Sequence, residues 1–99
     1  KLLAARRMRE MKPRQFLLNA GLGRGDVFVD LGCGPGFFTL PAARIVGPRG
    51  TAYAVDTEPA MLAELRKRNP PPNVRCVVSS ESRVPLPDGT ADFLLLAYV

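Results

Sequence analysis

The hydrophobic and polar positions of this chain follow two patterns, which take turns from one segment to the next. The first is a β-prone run of mostly apolar residues, which occurs at residues 27–31, 51–56, 74–79 and 91–99 and is most continuous at 27–31. Such runs are typical of strands that are covered on both faces, as in a parallel sheet. The second is an apolar face at helical spacing. It predicts a helix over 37–46, with Pro41 in its first turn, and another over 60–68 that begins near Pro59.

The residues before the first apolar run predict helices. Residues 2–11 carry a partial apolar stripe, and Pro13 starts a second short helix that runs to Leu18. A glycine-rich loop, "NAGLGRGD", follows. We therefore expect one domain over 1–99, with an N-terminal helical cap at 1–23 and a β-α-β-α-β-β core at 27–99.

The alternation of strands and helices determines the expected fold class. It predicts an α/β, Rossmann-like, doubly wound parallel sheet with right-handed crossovers. The run at 91–99 is the most apolar, so we expect it to lie centrally in the sheet. The sequence stops at that run, which would leave an exposed apolar edge. We therefore expect either the first half of a larger domain or a homodimer that pairs through the 91–99 edge.

Composition removes several classes of chemistry. The chain has no histidine, and its two cysteines, Cys33 and Cys76, lie far apart. This argues against a zinc site and excludes any Ser-His or Cys-His nucleophile. Reduced thiols and the lack of an apolar leader favour a cytoplasmic protein. No apolar run approaches the roughly 20 residues of a membrane span.

Basic residues are concentrated at the N-terminus. The net charge is +5, and six lysines and arginines lie within the first fourteen residues, against the single acidic residue Glu10. Such a cluster is consistent with RNA binding or with a solvated helix face. No aromatic residues interleave with the basic ones to form a stacking surface.

The glycine-rich segment "VDLGCGPGFF" joins the first strand to the next helix. It aims the helix N-terminus, with its free N–H groups, at a ligand beyond the strand. The dinucleotide pattern G-x-G-x-x-G fails, because Phe37 stands where the third glycine belongs. This argues against an NAD-dependent dehydrogenase. A P-loop fails as well, since no G-K-[ST] follows.

The motif that does stand here, "D-x-G-x-G-x-G" from Asp30 to Gly36, resembles motif I of the class I S-adenosylmethionine (AdoMet)-dependent methyltransferases. "AYAVDTEPAMLAELRKR" is similar to that family's second strand and helix. "VRCVVSSESRVPLPDGTADFLLLAYV" is similar to its third strand, adenine-side loop and fourth strand, in the wording of the small-molecule and quinone-type branch. The resemblance covers 27–99. It implies AdoMet as cofactor and methyl transfer to a small-molecule acceptor.

The resemblance also implies a set of cofactor-binding residues. Asp56, at the tip of the second strand, would accept both ribose hydroxyls with its two oxygens. The alternative role of Asp56 is that of a negative charge at the N-terminus of the helix that follows. Asp30 lies in an apolar strand and needs partners. These are loop N–H groups or, as the resemblance implies, the ammonium group of the ligand. The resemblance implies that the backbone of Gly32, Cys33, Gly34 and Gly36 would line the ligand.

The remaining expected contacts lie on the adenine side and at the fourth strand. Thr57 and Met61 would flank the adenine, although Met61 also suits helix packing. Ser80 stands where the family usually has an aspartate, and Glu81 follows it. Ala97 falls where family members contact the methionine moiety by backbone.

No catalytic residue is named, because the family's acceptor site lies after the fourth strand. Two alternative functions remain open. One is a non-catalytic AdoMet-binding module or truncated relic. The other is an RNA methyltransferase that uses the basic N-terminus.

Overall fold

A computed structural model describes residues 1–4, 12–80, 86 and 89–96. They form five strands and three helices. In chain order these are β1 (Leu2–Ala4), α1 (Pro13–Asn19), β2 (Val27–Leu31), α2 (Thr39–Val46), β3 (Thr51–Asp56), α3 (Pro59–Lys67), β4 (Val74–Val78) and β5 (Phe93–Leu96). Within these ranges, no helix is long and apolar enough to cross a bilayer.

The five strands form one sheet in the order β1-β5-β2-β3-β4, and every pairing is parallel. This confirms the Rossmann-like α/β fold. The strand β5 lies inside the sheet, between β1 and β2, as its apolar character predicts. In register, Asp30 of β2 stands between Ala54 of β3 and Leu95 of β5. The carboxyl ends of β2, β3 and β4 therefore lie side by side.

The helix predicted over 2–11 is wrong at its start, because Leu2–Ala4 is a strand. Leu2, Leu3 and Ala4 pair in register with Leu94, Leu95 and Leu96 of β5. A short apolar segment is compatible with the residue spacing of a helix and with that of a strand. Here pairing with the backbone groups of an interior strand, 92 positions away along the chain, favours the extended form. The rest of that predicted helix, residues 5–11 with three of the six basic residues of the N-terminal cluster, lies outside the described residues.

The same pairing corrects the expectation of an exposed edge on the last strand. Strand β1 occupies the side of β5 that faces away from β2, so this edge is not available to a second copy. The homodimer expected through 91–99 therefore loses its structural basis. Residues 97–99 lie outside the described part of the chain.

The three helices pack on one face of the sheet. Leu17 of α1 joins Phe28 of β2 and Leu95 of β5 in a buried cluster that also includes much of α2. Leu62 and Leu65 of α3 form a second cluster over β3 and β4. Register partners in a parallel sheet point to the same side, which places both clusters on that face. Helix α2 therefore lies over β2 and β3, and α3 lies over β3 and β4.

The helix starts agree with the proline positions. Pro41 is the third residue of α2, and Pro59 is the first residue of α3. Glu58 takes the N-cap position of α3, although no side chain caps that helix. In both helices the proline lies where its missing N–H has no intrahelical partner.

Candidate functional site

The loop that follows β2 is tied to the end of β3. The backbone N–H groups of Gly32 and Cys33 both donate to the carbonyl oxygen of Val55, at 2.8 and 3.0 Å. The glycines at 32, 34 and 36 all have positive φ, at 72°, 55° and 96°. The alternate-residue glycine spacing thus lets the backbone turn sharply from β2 toward α2.

Gly36 is required for a second reason, which is the closeness of α3. A Cβ atom built at Gly36 would lie 2.9 Å from both Cγ and Cδ1 of Leu65. Leu65 is fully buried, so it cannot move aside without disturbing the second core cluster. The loop therefore lies directly on α3, and only a residue without a side chain fits at position 36.

Asp56 joins the glycine loop to the start of α3. Its Oδ2 accepts a hydrogen bond from the Gly34 N–H, and its Oδ1 accepts one from the Glu58 N–H, both at 2.9 Å. The side chain is half-buried. A carboxylate has about four acceptor sites, so two backbone amides leave acceptor capacity at the open side of the group. Asp56 thus holds the loop and still presents a charged acceptor at the carboxyl end of β3.

Asp30 is fully buried beneath the loop, with 0% of its surface exposed. Its Oδ2 accepts a hydrogen bond from the Thr39 hydroxyl at 2.7 Å, and its Oδ1 has no partner among the described residues. Burial, above all, raises the pKa of Asp30 from 3.8 to about 7. The Thr39 hydroxyl opposes this shift, while the negative charge of Asp56 adds to it. This hydrogen bond ties the end of β2 to the start of α2, and the role of Asp30 toward a ligand stays a prediction.

Cys33 lies inside the protein rather than at the open side of the loop. It is 4% exposed and packs with Leu62 and Leu65, and its thiol donates to the Gly34 carbonyl at 3.3 Å. Burial, assisted by the charges of Asp30 and Asp56, raises the pKa of this thiol to about 12. The thiol is therefore neutral near pH 7, and a ligand would meet Cys33 only by its backbone.

The expected adenine-side residues follow Asp56 and β4. Thr57 is exposed and Met61 is half-buried in the first turn of α3. The Ser79 N–H donates to the Asp56 carbonyl at 3.0 Å, which brings the exposed Ser80 to the same edge of the sheet. Glu81 and Ala97 lie outside the described residues.

Two residues that position this site were not identified from the sequence. Thr39 is the hydroxyl partner of Asp30, and Leu65 is the side chain against which Gly36 packs. A partial indication of Thr39 exists in the sequence, because a buried aspartate needs a donor and Thr39 stands near the start of the following helix. Nothing in the sequence singles out Leu65 from the other apolar residues of α3.

The fold and this arrangement define a class of protein. A parallel sheet with a glycine loop after one strand and an acid at the tip of the next is a Rossmann-like domain built to bind an adenosyl-type ligand. The methyltransferase domain family matches residues 28–99, most of the chain. The chain belongs to this family, which confirms the resemblance found in the sequence.

Individual relatives agree with the family assignment. The ubiquinone/menaquinone biosynthesis C-methyltransferase UbiE of Pasteurella multocida is 31% identical over 83 residues, covering 80% of this chain and 31% of its own length. A SAM-dependent methyltransferase from Aquifex aeolicus is 32% identical with a TM-score of 0.79, covering 90% of this chain and 50% of that one. Fibrillarin from Aeropyrum pernix, solved with natively bound S-adenosyl-L-methionine, is 25% identical with a TM-score of 0.55. The match covers 60% of this chain and 26% of the fibrillarin chain.

The chain thus spans about a third of the UbiE relative and half of the Aquifex aeolicus protein.

Proposed function

We propose that this chain is the cofactor-binding part of an AdoMet-dependent methyltransferase and forms a single domain. The observation that carries the proposal is the position of Asp56. Its carboxylate stands at the carboxyl end of β3 and is held by the amides of Gly34 and Glu58. The matched family, which extends from residue 28 to 99, supports the same conclusion.

The described residues fit AdoMet as ligand. Its ribose carries two adjacent hydroxyls, and a carboxylate with unused acceptor sites is the group that binds such a diol. The loop beside Asp56 carries no side chain at Gly32, which is half-buried, so a ligand can approach the backbone there closely. AdoMet has no phosphate group, which agrees with a loop that lacks both phosphate-binding patterns.

The chain's own residues would bind and orient the cofactor. AdoMet supplies a methyl group already activated by its sulfonium centre, so the protein mainly has to place donor and acceptor in line. In this proposal Asp56 fixes the ribose, and Thr57, Met61 and Ser80 border the adenine. Asp30 acts by tying the start of α2 to the end of β2, with Thr39 as its partner.

A small molecule is the proposed acceptor. The amino-acid sequence of residues 84–99 supports this, because it resembles the small-molecule and quinone-type branch of the family. The Pasteurella multocida relative, which is named for quinone biosynthesis, supports it as well. A cytoplasmic location is part of the same proposal and is supported by the two free cysteines, Cys33 and Cys76.

Calorimetric titration with AdoMet and S-adenosylhomocysteine tests the proposal. Saturable binding is expected, and Asp56→Asn should weaken it by about 1.5–3 kcal/mol, since the variant loses hydrogen bonds from a charged group. Glu64→Gln is the matched control. It removes one charge from an exposed residue of α3 and should leave the affinity unchanged.

Absence of binding to a folded wild-type protein would refute the proposal, and so would equal effects of the two variants. Methyl transfer from labelled AdoMet to demethylated quinones then tests the acceptor class. Binding without transfer to any acceptor would favour the non-catalytic alternative.

A further inference from the structure

Four arginines from separate segments of the chain surround one cavity at the amino-terminal end of the sheet. The cavity has a volume of about 530 Å³. We call it the arginine cavity, because its basic lining residues are four arginines, Arg24, Arg44, Arg49 and Arg75. Thr51 also lines the cavity and begins β3, whereas Asp56 ends that strand. At about 3.3 Å per residue, the cavity lies about 16 Å from the candidate cofactor site.

The positive charge of the arginine cavity has no described counter-charge. None of the described residues that line it is acidic. In the part of the chain that the structure describes, the one side-chain ion pair is Lys67–Glu64, which belongs to α3. Guanidinium groups stay charged at every physiological pH. Four like charges around one concave space repel one another, and an anion that enters this space is attracted by all of them.

Part of this charge has a structural explanation. Arg44 lies in the last turn of α2, and the Arg24 guanidinium lies against Gly47, where a Cβ atom would overlap it. Both side chains thereby stabilise the negative end of α2. Arg49 and Arg75 are exposed and lie outside this helix, so its C-terminus does not account for them. These two residues carry the inference.

The walls of the cavity are fixed by hydrogen bonds and prolines. The Asn73 side-chain amide donates to the carbonyl oxygens of Ala43 and Gly47, at 2.9 and 2.8 Å. This joins the loop before β4 to the end of α2. Pro48, Pro71 and Pro72 line the cavity and restrict the same two loops. The backbone that carries the arginines is therefore held in place before any ligand binds.

We propose that the arginine cavity binds a compact ligand that carries two or more phosphate groups. Planar guanidinium groups match phosphate oxygens by paired hydrogen bonds. The volume is in the range of small-molecule sites and holds more than a single phosphate. No aromatic residue stands among the described lining residues, so the phosphates rather than a base are recognised. This site is separate from methyl transfer.

Titration of the full chain with sodium tripolyphosphate at low salt tests this inference. We expect saturable one-site binding that weakens as the salt concentration rises. The double variant Arg49→Gln/Arg75→Gln should bind at least about tenfold more weakly, because two charge-assisted contacts are lost. The matched control is Arg66→Gln/Arg68→Gln, which removes the same charge at the end of α3 and should change the affinity less than about twofold.

Two further measurements make the result specific. Circular dichroism and thermal unfolding should show both double variants folded, and AdoMet titration of Arg49→Gln/Arg75→Gln should match the wild type. The inference is overturned if tripolyphosphate does not bind, or if both double variants weaken it equally, which would indicate net charge alone. It is also overturned if a single-stranded RNA binds through Arg49 and Arg75 while tripolyphosphate does not.

Discussion

The replacement Asp30→Asn is expected to change how the stability of this protein depends on pH. The Asp30 carboxyl is fully buried, and burial raises its pKa from 3.8 to about 7. A folded-state pKa above the unfolded value means that the folded protein holds the proton more tightly. The stabilisation from this group is therefore complete below about pH 4 and is lost as the pH rises through 7.

The size of the effect follows from the shift. About three pKa units at 1.36 kcal/mol each correspond to about 4 kcal/mol over the whole pH range. Between pH 5 and pH 8 the loss is about 2.5 kcal/mol, because part of it occurs below pH 5 and the group is mostly ionised at pH 8. Asparagine stays neutral, and its Oδ1 can still accept a hydrogen bond from the Thr39 hydroxyl. The variant should therefore lack this dependence of the unfolding free energy on pH.

Urea unfolding of the wild type and of Asp30→Asn at several pH values measures the effect. The wild-type free energy of unfolding, minus that of the variant, should fall by about 2.5 kcal/mol from pH 5 to pH 8. Thr39→Val removes the hydrogen bond that lowers the Asp30 pKa, so its loss of stability should extend to higher pH. Glu64→Gln, on the surface of α3, should follow the wild-type slope. A difference between wild type and Asp30→Asn that is independent of pH would refute the reasoning.

Two more predictions concern the same loop. Gly36→Ala should cost about 2–4 kcal/mol, because its φ is 96° and its Cβ would lie 2.9 Å from Leu65. In urea unfolding, Leu65→Ala should relieve the steric part of that cost, and additive effects of the two changes would contradict the contact. Cys33 should resist alkylation at pH 8, where its thiolate fraction is about one in ten thousand, while the half-buried Cys76 reacts first. Mass spectrometry of the labelled peptides measures this order, and fast labelling of Cys33 would show that the loop opens.

Much of the fold is readable from local patterns. The runs at 27–31, 51–56 and 74–79 became β2, β3 and β4 with bounds that agree within one residue. The prolines at 41 and 59 marked the helix starts because proline excludes itself from a helix interior. These elements form as predicted because period, propensity and breakers all favour the same structure.

The candidate site was predictable only in part. The glycine spacing and Asp56 are local features of strand ends, and they stand beside each other because neighbouring parallel strands end at the same edge. The burial of Asp30 and its bond to Thr39 depend on how α2 packs, which no local pattern specifies. The sequence therefore indicated the glycine loop and Asp56, which the structure brings together, but it left open what Asp30 contacts.

The sequence alone determined the strand and helix order, the parallel sheet, the glycine loop and the family, because each depends on the nature and spacing of nearby residues. The tertiary structure decided that Leu2–Ala4 is a strand, since pairing with β5 outweighs a weak local preference. It also brought Arg24, Arg44, Arg49 and Arg75 around one cavity. These residues come from four segments up to 51 positions apart, and only the packing of α2 against the sheet brings such distant residues together.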